Sequence, residues 1–331
     1  MRPQLIDTRT QDNQVVSLSR QTVLVFDSGI GGLSVLSEIR LKRPHDHYVY
    51  LADNAAFPYG RLQETVLVAR VIDIIGRSIN AFKPDLVVIA CNTASTLVLP
   101  YLRDLFPVHF VGTVPAIKPA ALASRTKYIS VLATPGTVAR DYTRDLIRSY
   151  AANCHVTLVG SQNLASLAEQ ELSGQSPSDE DIWRELFPCF VEENGVKTDA
   201  IVLGCTHYPM LRNRFDQLAP WTVAWIDSGA AIARRVNELL SEPNPKYQNA
   251  IKDTFTENYF KEEIDHHLKH DASTKTIDDQ LNDKNHTAQS NYRTESFAVF
   301  TSASGVNDTL VSAVKQFDLK RVLIKPMPLD Q

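Results

Sequence analysis

The sequence predicts an α/β protein made of two parallel-sheet domains, covered by helices and facing each other across a cleft. Three observations lead there. Short β-branched and apolar runs alternate with helical patterns along most of the chain, and strand–helix–strand alternation gives parallel sheets wrapped in helices. Two segments of the first half are echoed in the second. At 331 residues the chain is also long enough for two domains of ordinary size.

The first expected strand, residues 22–26, is rich in β-branched and aromatic residues and closes at Asp27, Ser28 and Gly29. Further strands are expected at 48–51, 86–90, 110–111, 128–132, 156–159, 200–203, 223–226, 297–300 and 321–324, each closed by a polar or glycine-containing turn. Helical patterns lie between most of them, as at 62–82 and 137–150. Chain reversal at the carboxyl ends of such strands puts function in the loops that follow them.

The internal echo is specific in kind. Val23-Leu-Val-Phe-Asp27-Ser-Gly29 resembles Ile129-Ser-Val-Leu-Ala-Thr134-Pro-Gly136, and Val88-Ile-Ala-Cys91-Asn-Thr93 resembles Val202-Leu-Gly-Cys205-Thr-His207. The implied division is a disordered polar tail at 1–20, a first domain of 21–115 with 212–331, and a second domain of 116–211. The first domain carries a polar insertion at about 242–295, where apolar residues thin out. Within it Phe255, Tyr259, Phe260, Ile264 and Leu268 could form one amphipathic helix, and 271–293 reads as a surface loop.

Composition narrows the function. Net charge is −4, which gives no electrostatic reason to expect nucleic acid or an acidic membrane as partner. No apolar run approaches the roughly 20 residues that span a bilayer. Asp7, Asp12 and Asn13 stand where a signal peptide needs an apolar core. The cysteines at 91, 154, 189 and 205 form no CxxC pair and no disulfide framework, so the cytoplasm is the expected compartment.

Cys91 and Cys205 each follow an apolar strand and precede a polar pair, Asn92-Thr93 and Thr206-His207. Backbone N–H groups at such a position favour anions and can lower a thiol pKa from about 8.5. A lone cysteine there is more often a small core residue; two in matching contexts point to chemistry. Asp27, before the Gly-rich turn, either caps the following helix or holds a substrate ammonium beside Cys91. That turn also raises a nicotinamide dehydrogenase, with Asp53 as the ribose-binding acid. Ser34 in place of the third glycine, and the charge of Asp27, count against it. Cys154 and Cys189 read as packing residues, and Trp183, Trp221 and Trp225 as core or interface aromatics. His266 and His270, four apart near Asp265 and Asp271, read as a solvated helical face in preference to a metal site. No metal is expected.

The words Phe26-Asp-Ser-Gly-Ile-Gly-Gly-Leu-Ser-Val-Leu36, Ala52-Asp-Asn-Ala-Ala-Phe-Pro-Tyr-Gly60, Ala90-Cys-Asn-Thr-Ala-Ser95 and Leu203-Gly-Cys-Thr-His-Tyr-Pro209 resemble, in order, the signature segments of the glutamate racemase family. The resemblance implies two flavodoxin-like domains with helices on both faces of each sheet and the active site between them. It implies that Cys91 and Cys205 are the acid/base pair, Asp27 sitting with Cys91 and His207 with Cys205. Ser28, Tyr59, Gly60, Asn92, Thr93 and Thr206 would line the glutamate site with Asp27 and His207. Glu169, in Leu167-Ala168-Glu169, is the counterpart of a family glutamate. The activity implied is interconversion of L- and D-glutamate for peptidoglycan synthesis, with no cofactor and with a homodimer as an open assembly. No lysine stands out for a Schiff base. Aspartate and hydantoin racemases share the paired-cysteine plan, and a non-catalytic amino-acid binder would use the same cleft without needing thiols on both sides.

Overall fold

The computed structural model describes residues 20–241 and 295–325. The expected tail and polar insertion, with its amphipathic helix and histidine cluster, lie outside the described residues save Arg20 and Glu295. The core of the first domain is a six-stranded sheet built on β1 (Thr22–Asp27), β2 (His47–Ala52), β3 (Leu86–Ile89) and β4 (His109–Gly112), joined by the two last strands of the chain. The second domain is a four-stranded sheet of β5 (Tyr128–Ala133), β6 (His155–Gly160), β9 (Ala200–Gly204) and β10 (Ala224–Ile226). All pairings in both sheets are parallel. A two-residue hairpin, β7 (Glu192–Glu193) with β8 (Val196–Lys197), stands apart.

Alternation along each strand sorts side chains to two helical layers. In β1, Leu24 and Phe26 pack with α2 (Glu64–Phe82) and α3 (Asn92–Leu105), through Val71, Ile75, Val98 and Leu102. Val23 and Val25 face the opposite layer, α1 (Leu33–Lys42), α10 (Gly229–Ser241) and the helix Asp308–Gln316, through Leu36, Ile39, Val236 and Val314. In the second sheet Leu132 and Leu203 meet α7 (Leu164–Leu172), α8 (Asp179–Leu186) and α9 (Arg212–Leu218). Val131 and Val202 meet α4 (Ile117–Ala123) and α6 (Asp141–Tyr150). Strands buried on both faces read as unbroken apolar runs, which is why their sequences announced them.

The echo between the halves is a topological one. Sheet order β2-β1-β3-β4 in the first domain corresponds to β6-β5-β9-β10 in the second. Each is the 2-1-3-4 order of a flavodoxin-like core. The first sheet is extended beyond β2 by β11 (Phe297–Phe300) and β12 (Arg321–Ile324), not at the far edge. In both halves the cysteine follows the third strand, beside the central one.

Two expectations change. The return to the first domain was read at residue 212, but β10 pairs with β9 and its Trp225 packs on Phe190 and Phe215, so the chain crosses back only in α10. A strand's own pattern does not say which sheet it joins. The helix read at 137–150 is two pieces, α5 (Pro135–Val138) and α6, separated at Ala139–Arg140. Among the described residues no helix is long and apolar enough to cross a membrane.

Truncating a buried tryptophan costs roughly 3–5 kcal/mol. Trp225→Ala should therefore lower the unfolding free energy by that amount in urea titration. A loss under about 1 kcal/mol would mean β10 is not part of the second core.

Candidate active site between the two domains

The carboxyl ends of both sheets open into one cleft with ≈ 300 Å³ of empty space, part of it open to solvent. Its walls are Ser28, Asn92, Thr93 and the Phe57–Gly60 segment from the first domain, Thr134, Ala165, Thr206 and His207 from the second, with Cys91 and Cys205. The two cysteines are 6% and 8% exposed. Each domain thus sends one sulfur into the same space.

Cys91 caps α3 in an extended conformation, φ −141° and ψ 116°. Its Sγ lies 3.8 Å from the Ser28 hydroxyl. Burial pushes its thiol well above the ordinary value, and the charge of Asp27 adds to that, outweighing the Ala94 N–H and Ser28. The expected lowering by the helix start is therefore reversed at this cysteine.

Asp27 is wholly buried. Oδ1 accepts from the Ser28 N–H at 2.7 Å, and Oδ2 from the Gly32 N–H at 2.5 Å and the Thr206 hydroxyl at 3.2 Å. It thus accepts from Gly32 at the start of α1, and its charge acts on Cys91. Burial raises its pKa to about 6, against the opposing pull of His207 and these donors.

On the other side Cys205 Sγ is 3.7 Å from His207 Nδ1, and His207 Nε2 is 2.9 Å from Glu169 Oε1. Burial disfavours a charged imidazole, yet hydrogen bonds and charge from Cys205 and Glu169 carry the His207 pKa well above its usual value. Nε2 also lies 3.2 Å from the Gly31 N–H. One ring nitrogen cannot accept from Gly31 and donate to Glu169 together. The shorter distance and the raised pKa favour the protonated ring donating to Glu169. Ile30 N–H donates to the same carboxylate oxygen at 2.9 Å. A Cβ at Gly31 would run into the His207 ring, and one at Gly29 into Glu169 Oε1, so this approach requires glycine.

The structure also decides the nicotinamide reading. The N–H groups that would cradle a pyrophosphate are directed at Glu169, His207 and Asp27. Ser34 Oγ sits 2.8 Å from the carbonyls of both Gly31 and Thr206. Asp53 is buried, its carboxylate taken up by Arg70, Tyr59 and Thr301.

Of the residues named from the sequence, Ser28, Tyr59, Gly60, Cys91, Asn92, Thr93, Cys205, Thr206 and His207 line this cleft, while Asp27 and Glu169 stand behind that lining, hydrogen-bonded to Ser28, Thr206 and His207. Tyr59 enters through its ring and backbone, because its hydroxyl donates to Asp53 Oδ2 at 2.5 Å. The sequence reading passed over Phe57, Pro58, Thr134 and Ala165. Thr134 carried a signal, since the internal echo aligns it with Asp27. Its Oγ1 is 2.9 Å from that of Thr93 and 3.0 Å from that of Thr137, joining the domains across the cleft. Ala165 carried none. Cys189 is buried and Cys154 half-buried, both away from the cleft.

Two flavodoxin-like domains that each present a strand-end cysteine to one cleft define a two-domain α/β protein whose site is built from both halves. The family model described as Asp/Glu/Hydantoin racemase matches residues 36–236, and the chain belongs to that family of isomerases. It is 55% identical over 223 residues to the glutamate racemase of Rhizobium meliloti (strain 1021), covering 67% of this chain and 80% of that protein. Identity to the glutamate racemase of Brucella anthropi is 53% over the same length, again 67% of this chain and 80% of that protein. Among solved structures, Escherichia coli glutamate racemase in complex with L-glutamate and the activator UDP-MurNAc-ala is 35% identical with a TM-score of 0.74, covering 93% of this chain and 98% of that one. The RacE1 isoform from Bacillus anthracis, at 20% identity and a TM-score of 0.65 over 93% and 98% of the chains, shares the fold.

Any role of Asp27 as a carboxylate requires it to be ionised, and Ser28, Gly32, Thr206, Cys91, His207 and Tyr50 are the groups that face it. Activity measured as kcat/KM should then fall as pH drops through about 6. Asp27→Asn should lower kcat/KM and flatten that acid limb. An unchanged limb in the variant would assign it to another group.

Proposed function

We propose that the protein interconverts L- and D-glutamate without a cofactor, by a two-base mechanism at Cys91 and Cys205, and that it supplies D-glutamate for peptidoglycan synthesis. The observation that carries the reading is the pair of buried cysteines, one from each domain, lining a single cleft. Inverting a stereocentre needs a proton taken from one face and another given to the opposite face. A single base serves one face only.

In each turnover one sulfur, as thiolate, takes the α-hydrogen. The other, as thiol, gives its hydrogen to the far face of the same carbon, and solvent then resets the pair. His207, held by Glu169, faces Cys205 and stabilises negative charge on it. Asp27 and Ser28 flank Cys91, where burial and the Asp27 charge favour the neutral thiol. The substrate ammonium then lies against Ser28, with the Asp27 charge behind it.

Charge that leaves the α-carbon spreads into the α-carboxylate and needs fixed donors. The start of α3 offers backbone N–H groups, and Asn92 Nδ2 is a buried donor with no hydrogen-bond partner. A carboxylate against Asn92, Thr93 and Thr206 would satisfy it. The distal end of the substrate then lies along Tyr59 and Gly60, which favours glutamate. The identity to proteins named glutamate racemase supports the same substrate.

The test is circular dichroism of L-glutamate, D-glutamate and both aspartate enantiomers with no added cofactor. Glutamate should racemise from either side, and Cys91→Ala and Cys205→Ala should each lose about 10²–10⁴-fold or more in kcat. Near-wild-type turnover in either variant would remove the two-base reading, and faster turnover of aspartate would remove the substrate assignment.

A further inference from the structure

The cleft has a wall whose support comes from outside the residues that the family model matches. Phe57, Pro58, Tyr59 and Gly60 line one side of the site. The carboxylate of Asp53, wholly buried, lies behind them. Its Oδ2 accepts from the Tyr59 hydroxyl at 2.5 Å and from Arg70 Nε at 2.6 Å. Its Oδ1 accepts from Arg70 Nη2 at 2.6 Å and from the Thr301 hydroxyl at 2.7 Å.

Thr301 stands at the end of β11, and the family match ends at residue 236. The same Thr301 oxygen accepts from the Ala55 N–H at 3.1 Å. One residue on, Asn54 is clamped to the same strand end: its Oδ1 accepts from the Ser302 N–H at 2.9 Å, and its Nδ2 donates to the Ser302 carbonyl at 2.9 Å. Asp53 is joined to the catalytic strand as well, since its N–H donates to the Asp27 carbonyl at 2.8 Å. The segment that faces the substrate's distal end therefore hangs from β1 at one point, from Arg70 of α2 through Asp53, and from residues 301–302 at several points.

We infer that Thr301 is a positioning residue for the distal end of the substrate, acting through Asp53 and Ala55 to fix the Phe57–Gly60 wall. The inference rests on the racemase reading above. Thr301 does not touch the reacting carbon. Loosening the wall weakens ground-state and transition-state binding alike, so the effect falls on KM while kcat holds.

The experiment is steady-state racemisation kinetics of purified Thr301→Val and Thr301→Ser with L- and D-glutamate, beside wild type. Thr301→Val keeps the shape and removes the hydroxyl; it should raise KM about five- to tenfold, the scale of one buried hydrogen bond. Its kcat should stay within about twofold, as expected when uniform binding is lost. Thr301→Ser restores the hydroxyl and should return KM to the wild-type value. A wild-type KM in folded Thr301→Val, a matched fall in kcat, or a Thr301→Ser that behaves like the valine variant would overturn the inference.

If Thr301→Val does not fold, Asn54→Ser decides. It releases the same wall from Ser302 without uncovering Asp53, and a raised KM supports the inference while an unchanged one overturns it. Absence of glutamate racemisation in the wild-type protein would instead sink the underlying reading, so the two failures are distinguishable.

Discussion

The site depends on how one turn spends its backbone N–H groups. After β1 the chain turns through Ser28, Gly29, Ile30, Gly31 and Gly32, and amides of this turn point into a buried region where they need partners. The partners are the carboxylates of Asp27 and Glu169. Glu169 belongs to the other domain and also holds the His207 ring. A buried carboxylate is tolerable only when it is surrounded by donors, so the turn and these side chains hold each other in place. The same contacts bring the two domains together at the mouth of the cleft.

Similar halves end up with different chemistry. Both sheets share one strand order, and both send a cysteine from the strand beside the central one. The surroundings then diverge. At the head of the first sheet the last residue of β1 is an aspartate, which raises the cost of a thiolate on Cys91. The aligned residue of the second domain is Thr134, uncharged, and Cys205 faces an imidazole instead. The unequal neighbours give the two cysteines different electrostatic surroundings without breaking the shared scaffold.

Much of this was legible in the sequence, for physical reasons. Strands buried on both faces have to be apolar along their length, which marked the central strands. The apolar and β-branched runs of the more exposed edge strands marked the rest, so the ten main strands were found to within a residue or two of their ends. The cysteines, Asp27 and the polar pairs beside them were visible because reactive groups stand at strand ends. The hairpin at Glu192–Lys197 was missed: its strands have two residues each, three of the four charged. The sheet that β10 joins was misread because pairing partners leave no mark on a strand's own pattern. Asp53 entered only a rival reading that the sequence argued against; its actual partners are Arg70 and a threonine 248 residues away, a contact no local pattern encodes. Glu169 was reached only by family resemblance, since its value comes from meeting His207 in space.

The central claim is that two sulfurs serve opposite faces of one carbon, and isotope partition in the first turnovers tests it most directly. With protiated L-glutamate in heavy water, two bases predict D-glutamate carrying deuterium at the α-carbon from the start, while unconverted L-glutamate stays protiated. The mirror result is expected from D-glutamate. Early product that retains the substrate's own hydrogen, or deuterium that enters substrate as fast as product, would mean that one group works both faces.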